Sequence, residues 1–522
     1  MSNYSYSQDK PVSASGEPTP GRTAIKKRII WLYSMPPLGG RLSDSCKPGA
    51  LLAAAGAAAA LLSGCATGSV RTADTRTPPA YEAPQPADTA PAAALAQWWT
   101  LYKDAQLTGL VEQALTNSPD AKDAASKLEQ ALAVRQAALY SYNPQGNVTA
   151  SISKPNYNSL NPAKTTIPGF NPVQFLGIQT ESVGFPVTWE VDLFGRRAAA
   201  KRSANADLLT ARFTYDATRW SLAASVADSL FQARGLAIQL DQANETLRIE
   251  RQLYDSSKAR ADHGLAPSSD TAQTLANVQS AEAQAQALTA QLAAARRQLL
   301  LLIGRGIDPL ASLPMPAEVG APPPVPAVVP GELLVRRPDV REAQERVESA
   351  AGKLTLNKRA LLPTFNFQPS GGLTEQGSGP NTQFSYWTLA GNIAMPVLDR
   401  PRLLSLVRQQ RAVTEQAVIA YEKSVQTAYS DAEQAFGYYD SDKKRVALLR
   451  EAEKNAGFAY QAKETGYTRG FNDLQTTLTA EANWRQARLS LAQAEVSLMQ
   501  RSVQVFKALG GGWAPDTEVA SR

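Results

Sequence analysis

The chain has 522 residues, enough for roughly two to four ordinary domains, so size alone decides little. A mean hydropathy of −0.27 with 19% charged residues excludes a polytopic helical membrane protein and places most of the chain in water. The net charge of +6 does not point to nucleic acid: residues 1–64 hold seven Lys/Arg against three Asp/Glu, leaving 46 against 44 of the totals 53 and 47.

Residues 1–64 read as a signal peptide. The run 49–62 (GALLAAAGAAAALL), preceded by Arg41 and Lys47, has the charged start and short apolar centre of a secretory leader. Its 14 residues fall short of the ~20 that a membrane-spanning helix needs. The run ends in Leu62-Ser63-Gly64-Cys65, similar to a bacterial lipobox, in which small residues suit the signal peptidase and the thiol accepts a diacylglycerol. Cys65 is therefore expected to be lipidated, and its acyl chains, at about 0.8 kcal/mol per buried methylene, would anchor the segment 65–104 to a membrane. Ala66 comes next, where lipoproteins kept in the inner membrane more often carry Asp. The first 34 residues have no role in a signal peptide, and Met35 opens a leader of ordinary length. Cys46 leaves with the leader, so disulfides, thiol catalysis and CxxC-type zinc sites are not expected of the mature chain.

The mature chain repeats itself. Asn117-Ser-Pro119-Asp120 matches Arg336-Arg-Pro338-Asp339, and a further proline, Pro144 or Pro363, comes 25 residues after Pro119 and Pro338. Tyr254 precedes Gly264 by 10 residues, as Tyr460 precedes Gly470; Gly264 and Gly470 each precede a glycine, Gly304 or Gly510, by 40. These spacings define two repeats, 105–304 and 333–510, each reading as helix, strand, strand, very long helix, tight turn, helix. Between them, 305–332 holds Pro314, Pro316, Pro322, Pro323, Pro324, Pro326 and Pro330, an extended connector, and 511–522 is a tail.

In the first repeat the segment 105–141 reads as a helix. No proline interrupts 196–266, where Leu209, Phe213, Ala217, Trp220, Ala224, Ala227 and Phe231 form the stripe of a helix packed along its length. Such a helix is roughly 100 Å long and cannot lie inside a compact domain. The helices 105–141 and 268–304, each near half that length, can stack end to end beside it, so two repeats give a four-helix wall. Ala283, Ala287, Ala290 and Ala294 share one face and permit close approach.

Candidate strands are 147–153 with 180–193, and 364–374 with 385–398. Val148, Ala150 and Ile152 alternate with Thr149, Ser151 and Ser153, which fits a sheet with one apolar and one polar face. Strands of about ten residues in a lipid-anchored secreted chain suit an outer-membrane barrel. Four are too few to close, and open edges in lipid leave backbone groups unsatisfied, so three protomers supplying 12 strands are expected. The loops near 155–177 and 375–382 then face outside.

Trp189-Glu-Val-Asp-Leu-Phe-Gly-Arg196 is similar to the strand-to-helix junction of outer-membrane efflux proteins of the TolC/OprM-like type. Trp98-Trp99 with Leu107, Leu110 and Ala114-Leu115 resembles that family's mature N-terminal segment, and Ala508-Leu-Gly-Gly-Gly-Trp513 its C-terminal signature. With the lipobox and the duplication, the resemblance points to the lipoprotein branch (NodT type) working with RND-type pumps. It implies a mainly helical homotrimer, a periplasmic α-barrel carrying a 12-stranded outer-membrane β-barrel, that passes small molecules from a pump and its periplasmic adaptor to the outside. Asp192, Gly195, Arg196 and Asp399 mark the junctions; Gly195 permits a sharp turn and Asp192 caps the long helix after it. The second copy departs from the pattern, with Arg400-Pro401 in place of the residues that hold the junction glycine. The turns at Gly264-Leu265 and Arg469-Gly470 belong at the inner tip, and Tyr467 and Arg469 are carried over as gate or adaptor contacts, against the alternative of ordinary capped turns. Thr476, Thr477 and Thr479 stand where some relatives place an acidic constriction.

His263 is the one histidine, beside a turn glycine, and reads as a solvated cap. There is no Walker loop, GxSxG or HExxH, so neither an enzyme nor a cofactor or metal site is expected. Two other readings stay open: a duct for type I protein secretion, and a periplasmic helical adaptor or structural lipoprotein.

Overall fold

The computed structural model describes residues 71–84, 92–156, 179–326, 328–377 and 382–512, all within the unit Gly68–Arg522. The leader, Cys65 and Trp513 lie outside the described residues, as does most of the loop expected near 155–177.

The first repeat gives α1 (Ala105–Asn117), α2 (Pro119–Tyr140), β1 (Gln145–Gly146), β2 (Thr149–Ser153), β3 (Gln179–Val191), α3 (Arg196–Asp262) and α4 (Ser268–Leu302). The second gives α5 (Pro338–Arg359), β4 (Thr364–Gly377), β5 (Thr382–Ala394), α6 (Arg400–Thr468) and α7 (Leu474–Ala508), preceded by the single turn Leu333–Arg336. The helix expected over 105–141 is broken at Ser118. Pro119 has no amide hydrogen to give a preceding turn, so it opens a new helix, and Ser118 Oγ accepts from Asp120 N at 3.3 Å. Pro338 breaks the second repeat in the same place.

The helices α3 and α6 have 67 and 69 residues, about 100 Å each. Along the half of α3 nearer the sheet lie α2 and α5: Arg135 Nε donates to Asn205 at 2.6 Å, and Asp207 accepts from Lys353 at 3.1 Å. Along the other half lie α4 and α7, with Trp220 Nε1 donating to the Lys507 carbonyl at 3.1 Å. Because α5 and α7 also pack on α6, the wall is four helices wide at either level, in agreement with the half-length helices of the sequence.

The main core sits where these stacks meet. Trp98, fully buried, stacks on Phe506 with ring centres 5.5 Å apart, and Phe231 and Leu299 close around them. The proline-rich connector lies in this core through Val325 and Val328, 1% and 2% exposed. Residues 71–83 run along α6: Arg71 pairs with Glu422 at 2.6 Å, and the Glu82 and Ala83 amides donate to Glu433 at 2.6 and 2.9 Å. Tyr81 then enters the core beside Phe436, ring centres 5.2 Å apart.

All strand pairs are antiparallel. The fragments β1 and β2 pair with β3, β3 with β4 and β4 with β5, so the β3–β4 pairing joins the two repeats in one sheet.

Candidate functional site

The sheet has two unlike faces. The register Val183↔Leu373↔Ser385 and Trp189↔Phe367↔Gly391 puts Val183, Phe185, Trp189, Leu373, Trp387, Leu389 and Ile393 on one face, all of them exposed. At its loop end Glu181, Glu375 and Gln383 are aligned and bound the apolar band. Ser182, Thr188, Gln368, Ser370, Thr374, Thr388 and Asn392 occupy the opposite face. Phe384 and Tyr386 are aromatic exceptions there; Tyr386 lies over Gly372 and Gly184, where a side chain on either strand would collide with it. The strands β3 and β5 have 13 residues each; at about 3.3 Å per residue and a tilt near 40° they rise roughly 33 Å, enough for a bilayer's apolar layer. Among the described residues, β2 has no partner beyond β3 and β5 none beyond β4.

The strand-to-helix junctions differ. In the first, Gly195 takes φ +78°, a region costly for other residues, and the site of its missing side chain lies 2.7 Å from Arg359 Nη1. Asp192 reaches past the turn, and its two oxygens accept from the Arg196 and Arg197 amides at 2.7 and 2.9 Å, satisfying the open end of α3. Arg196 pairs back to Glu190 at 3.0 Å. In the second, Asp399 has helical dihedrals, makes no cap and instead holds Arg402 at 2.5 Å, which keeps its carboxyl below the usual range.

At the other end of the wall two tight turns join α3 to α4 and α6 to α7. Gly264 and Gly470 have φ +68° and +79°, and the next amides, Leu265 N and Phe471 N, donate back to Arg260 and Gly466 at 2.8 and 2.7 Å. Leu265 and Phe471 are left 73% and 82% exposed, two large apolar side chains in water at the same end. Arg469 is exposed beside them. Tyr467 is not: it is buried in a small second core with Ile249, Leu253 and Tyr460, and the Arg260 guanidinium lies 4.8 Å from its ring centre. The Tyr467 ring thus ties the end of α6 to the end of α3. Of the three threonines beyond the turn, Thr477 is buried and Thr479 exposed, while Asp473 caps α7 by accepting from Thr476 N at 2.8 Å. One turn further on, Glu481 points into the wall against Glu250 of α3, an acidic pair that periodicity does not single out.

A four-helix wall carrying a sheet with one lipid-compatible face, its edges unpaired among the described residues, is the architecture of an outer-membrane channel protein. The family model described as outer membrane efflux protein matches residues 110–305 and 329–511, and the chain belongs to that family. It is 26% identical over 434 residues to the pyoverdine export outer membrane protein OpmQ of Pseudomonas aeruginosa, covering 82% of this chain and 89% of that one. It is 25% identical over 426 residues to the toluene efflux pump outer membrane protein TtgF of Pseudomonas putida, covering 80% and 85%. Among solved structures it is similar to the outer-membrane channel OprN (TM-score 0.72, 23% identity, 85% of this chain and 99% of that). It also resembles the CmeC outer membrane channel of Campylobacter jejuni (TM-score 0.73, 19% identity, 86% and 94%). The protein is an outer-membrane efflux protein, with the helical barrel and sheet of that fold.

Proposed function

We propose that the chain is one third of a homotrimeric exit duct, anchored through Cys65 in the outer membrane, through which small molecules pass unchanged from the periplasm to the outside. The observation that carries this reading is the sheet: one apolar face, one mostly polar face and two edges that have no partner among the described residues. In hydrocarbon the open edges of β2 and β5 would leave amides and carbonyls without partners, at several kcal/mol each. Three copies close them into twelve strands with the polar face toward a water-filled lumen. The same threefold closure gives each wall a neighbour along α6 and along the α2/α4 edge.

The segment 71–83 supports the anchor. Arg71 is bound to Glu415 at 2.9 Å, and Glu415 lies 15 residues into α6, roughly 22 Å from the sheet end. Six further residues back to Cys65 can span at most about 20 Å, nearly all of that distance. The exposed Leu265 and Phe471 at the opposite end, with Arg469 and the turn glycines, are the surface for a periplasmic adaptor, which links the duct to an RND-type pump. Relatives that export pyoverdine and toluene favour small molecules over secreted proteins as cargo. A helical adaptor without a barrel has no use for the sheet.

Single-channel recording of the detergent-purified protein in planar bilayers, with cross-linking to count subunits, tests the duct. A trimer with discrete conductance is expected. A monomer that never conducts would overturn the barrel and leave a periplasmic helical lipoprotein.

A further inference from the structure

Two carboxylates are enclosed where the two helical hairpins of the wall meet. Glu250 on α3 and Glu481 on α7 are 1% and 2% exposed. One cation stands near both: Arg485 Nη1 is 3.6 Å from Glu250 and 3.7 Å from Glu481, beyond hydrogen-bond length. Glu250 Oε2 is enclosed and accepts no hydrogen bond. The group opens on a cleft of about 790 Å³ between α3, α4 and α7, bounded by Thr246, Asn277, Leu288, Leu478 and Trp484. Glu250 lies 14 residues before Gly264 and Glu481 lies 11 after Gly470, so the pair sits roughly 17–21 Å from the tip.

The surroundings do not balance two negative charges. From α4 the cleft receives only neutral side chains, of which Asn277 bonds Glu250. From α6 comes the Tyr460 phenol with Glu464 beyond it, and from α7 Arg485 and, at the rim, Arg488. Burial pushes Glu481 up to about 7 against the pull of Arg485, and the Glu250 charge adds to the rise. Burial moves Glu250 in the same direction. Two like charges sharing an enclosed site cannot both ionise without cost, and here one guanidinium offsets one of them.

We propose that Glu250 and Glu481 form a proton-controlled latch: a proton held on the pair keeps the α3–α4 and α6–α7 hairpins together near the tip, and its loss drives them apart. The closed arrangement binds the proton more tightly than separated, solvated carboxylates at their ordinary 4.5. Its advantage is therefore full below about pH 4.5, is lost as pH rises to about 7, and does not change further above that. The latch itself is a local contact; its consequence for the tip rests on the duct proposed above.

Spin labels on cysteines at Gln252 and Gln486, exposed positions flanking the seam, report the separation of the hairpins in the full-length protein in detergent. The distance is expected to lengthen between about pH 5 and about pH 8, and to stay at its short value in the double variant E250Q/E481Q. In R485M the lengthening shifts to higher pH, because the cation that favours ionisation is gone. No change in the otherwise wild-type protein, or an equal change in the double variant, overturns the latch. Conductance measured in parallel separates the two readings. A protein that never conducts while the distance still responds removes the duct and keeps the latch; one that conducts with an unresponsive distance does the reverse.

Discussion

Arg337 Nη2 donates to Asp431 Oδ2 at 3.0 Å, joining the residue that precedes α5 to the middle of α6. The guanidinium is 3% exposed, also holds Asp339 at 2.7 Å, and lies 5.5 Å from the Trp220 ring centre. Burial opposes its charge, and the two carboxylates outweigh burial, so its pKa lies above the ordinary value. Arg337→Met strands two carboxylates, but both are partly solvated, so the cost falls below that of a wholly enclosed pair, about 2 kcal/mol. Asp431→Asn leaves Asp339 in place and should cost about 1 kcal/mol. Thermal unfolding followed by circular dichroism in detergent should rank Arg337→Met below Asp431→Asn, and both below the parent.

Tyr467 and Arg260 make a second cross-hairpin tie, at the tip. A half-exposed cation such as Arg260 over an aromatic ring is worth about 0.5–1 kcal/mol, so Arg260→Ala should shift a closed–open equilibrium about two- to fivefold toward open. Tyr467→Ala also empties part of the small core around Ile249 and Leu253 and should open the tip further, whereas Tyr467→Phe, which keeps the ring, should leave it near the parent value. Open-channel probability in planar bilayers measures all three; equal effects of Tyr467→Ala and Tyr467→Phe would assign the contact to the hydroxyl instead.

The duplication, the long helices and the apolar–polar strands are legible in the sequence because each is a local periodicity or a matched spacing. Pairings between distant segments are not. Arg71 meets Glu422 across 351 residues, and nothing in either neighbourhood names the other. Glu250 and Glu481 each read as one carboxylate on a polar helix; only the packing of α3 on α7 turns them inward together. The similar settings of Asp192 and Asp399 in the two repeats suggest similar roles, and the structure separates them. With Gly195 the chain turns early and Asp192 reaches two free amides, whereas Asp399, directly before Arg400, already has helical dihedrals and turns to Arg402 one turn along. Resemblance places Tyr467 among the tip contacts, and its burial makes it a tie between helices rather than a side chain presented to a partner.

Leu265 and Phe471 are held in water by turns that need no apolar side chain, which is reason to expect a partner over them. Phe471→Asp should leave trimer formation and conductance unchanged, since the side chain touches no core. Binding to the cognate periplasmic adaptor, measured by surface plasmon resonance, should weaken by at least about tenfold if the side chain is an interface anchor. Unchanged adaptor affinity in the combined Leu265→Asp, Phe471→Asp variant would move the docking surface off these turns.

The register of β5 separates the apolar face from the polar one, one residue at a time. Leu389 lies on the apolar face and Thr388 on the polar one, adjacent in sequence and therefore at nearly the same height. Arginine at a lipid-facing position near the bilayer midplane costs about 2–4 kcal/mol, so Leu389→Arg should reduce the trimer recovered from outer-membrane fractions. Thr388→Arg meets water instead and should assemble at parent levels, while three added guanidinium groups around the lumen, one per protomer, should lower cation conductance relative to anion conductance. Reversal potentials under a salt gradient distinguish the two faces: a shift toward anions in Thr388→Arg with normal assembly fixes the polar face inward. The opposite pattern, poor assembly of Thr388→Arg and a selectivity change in Leu389→Arg, would turn the barrel inside out and exclude the register as the guide to which face meets lipid.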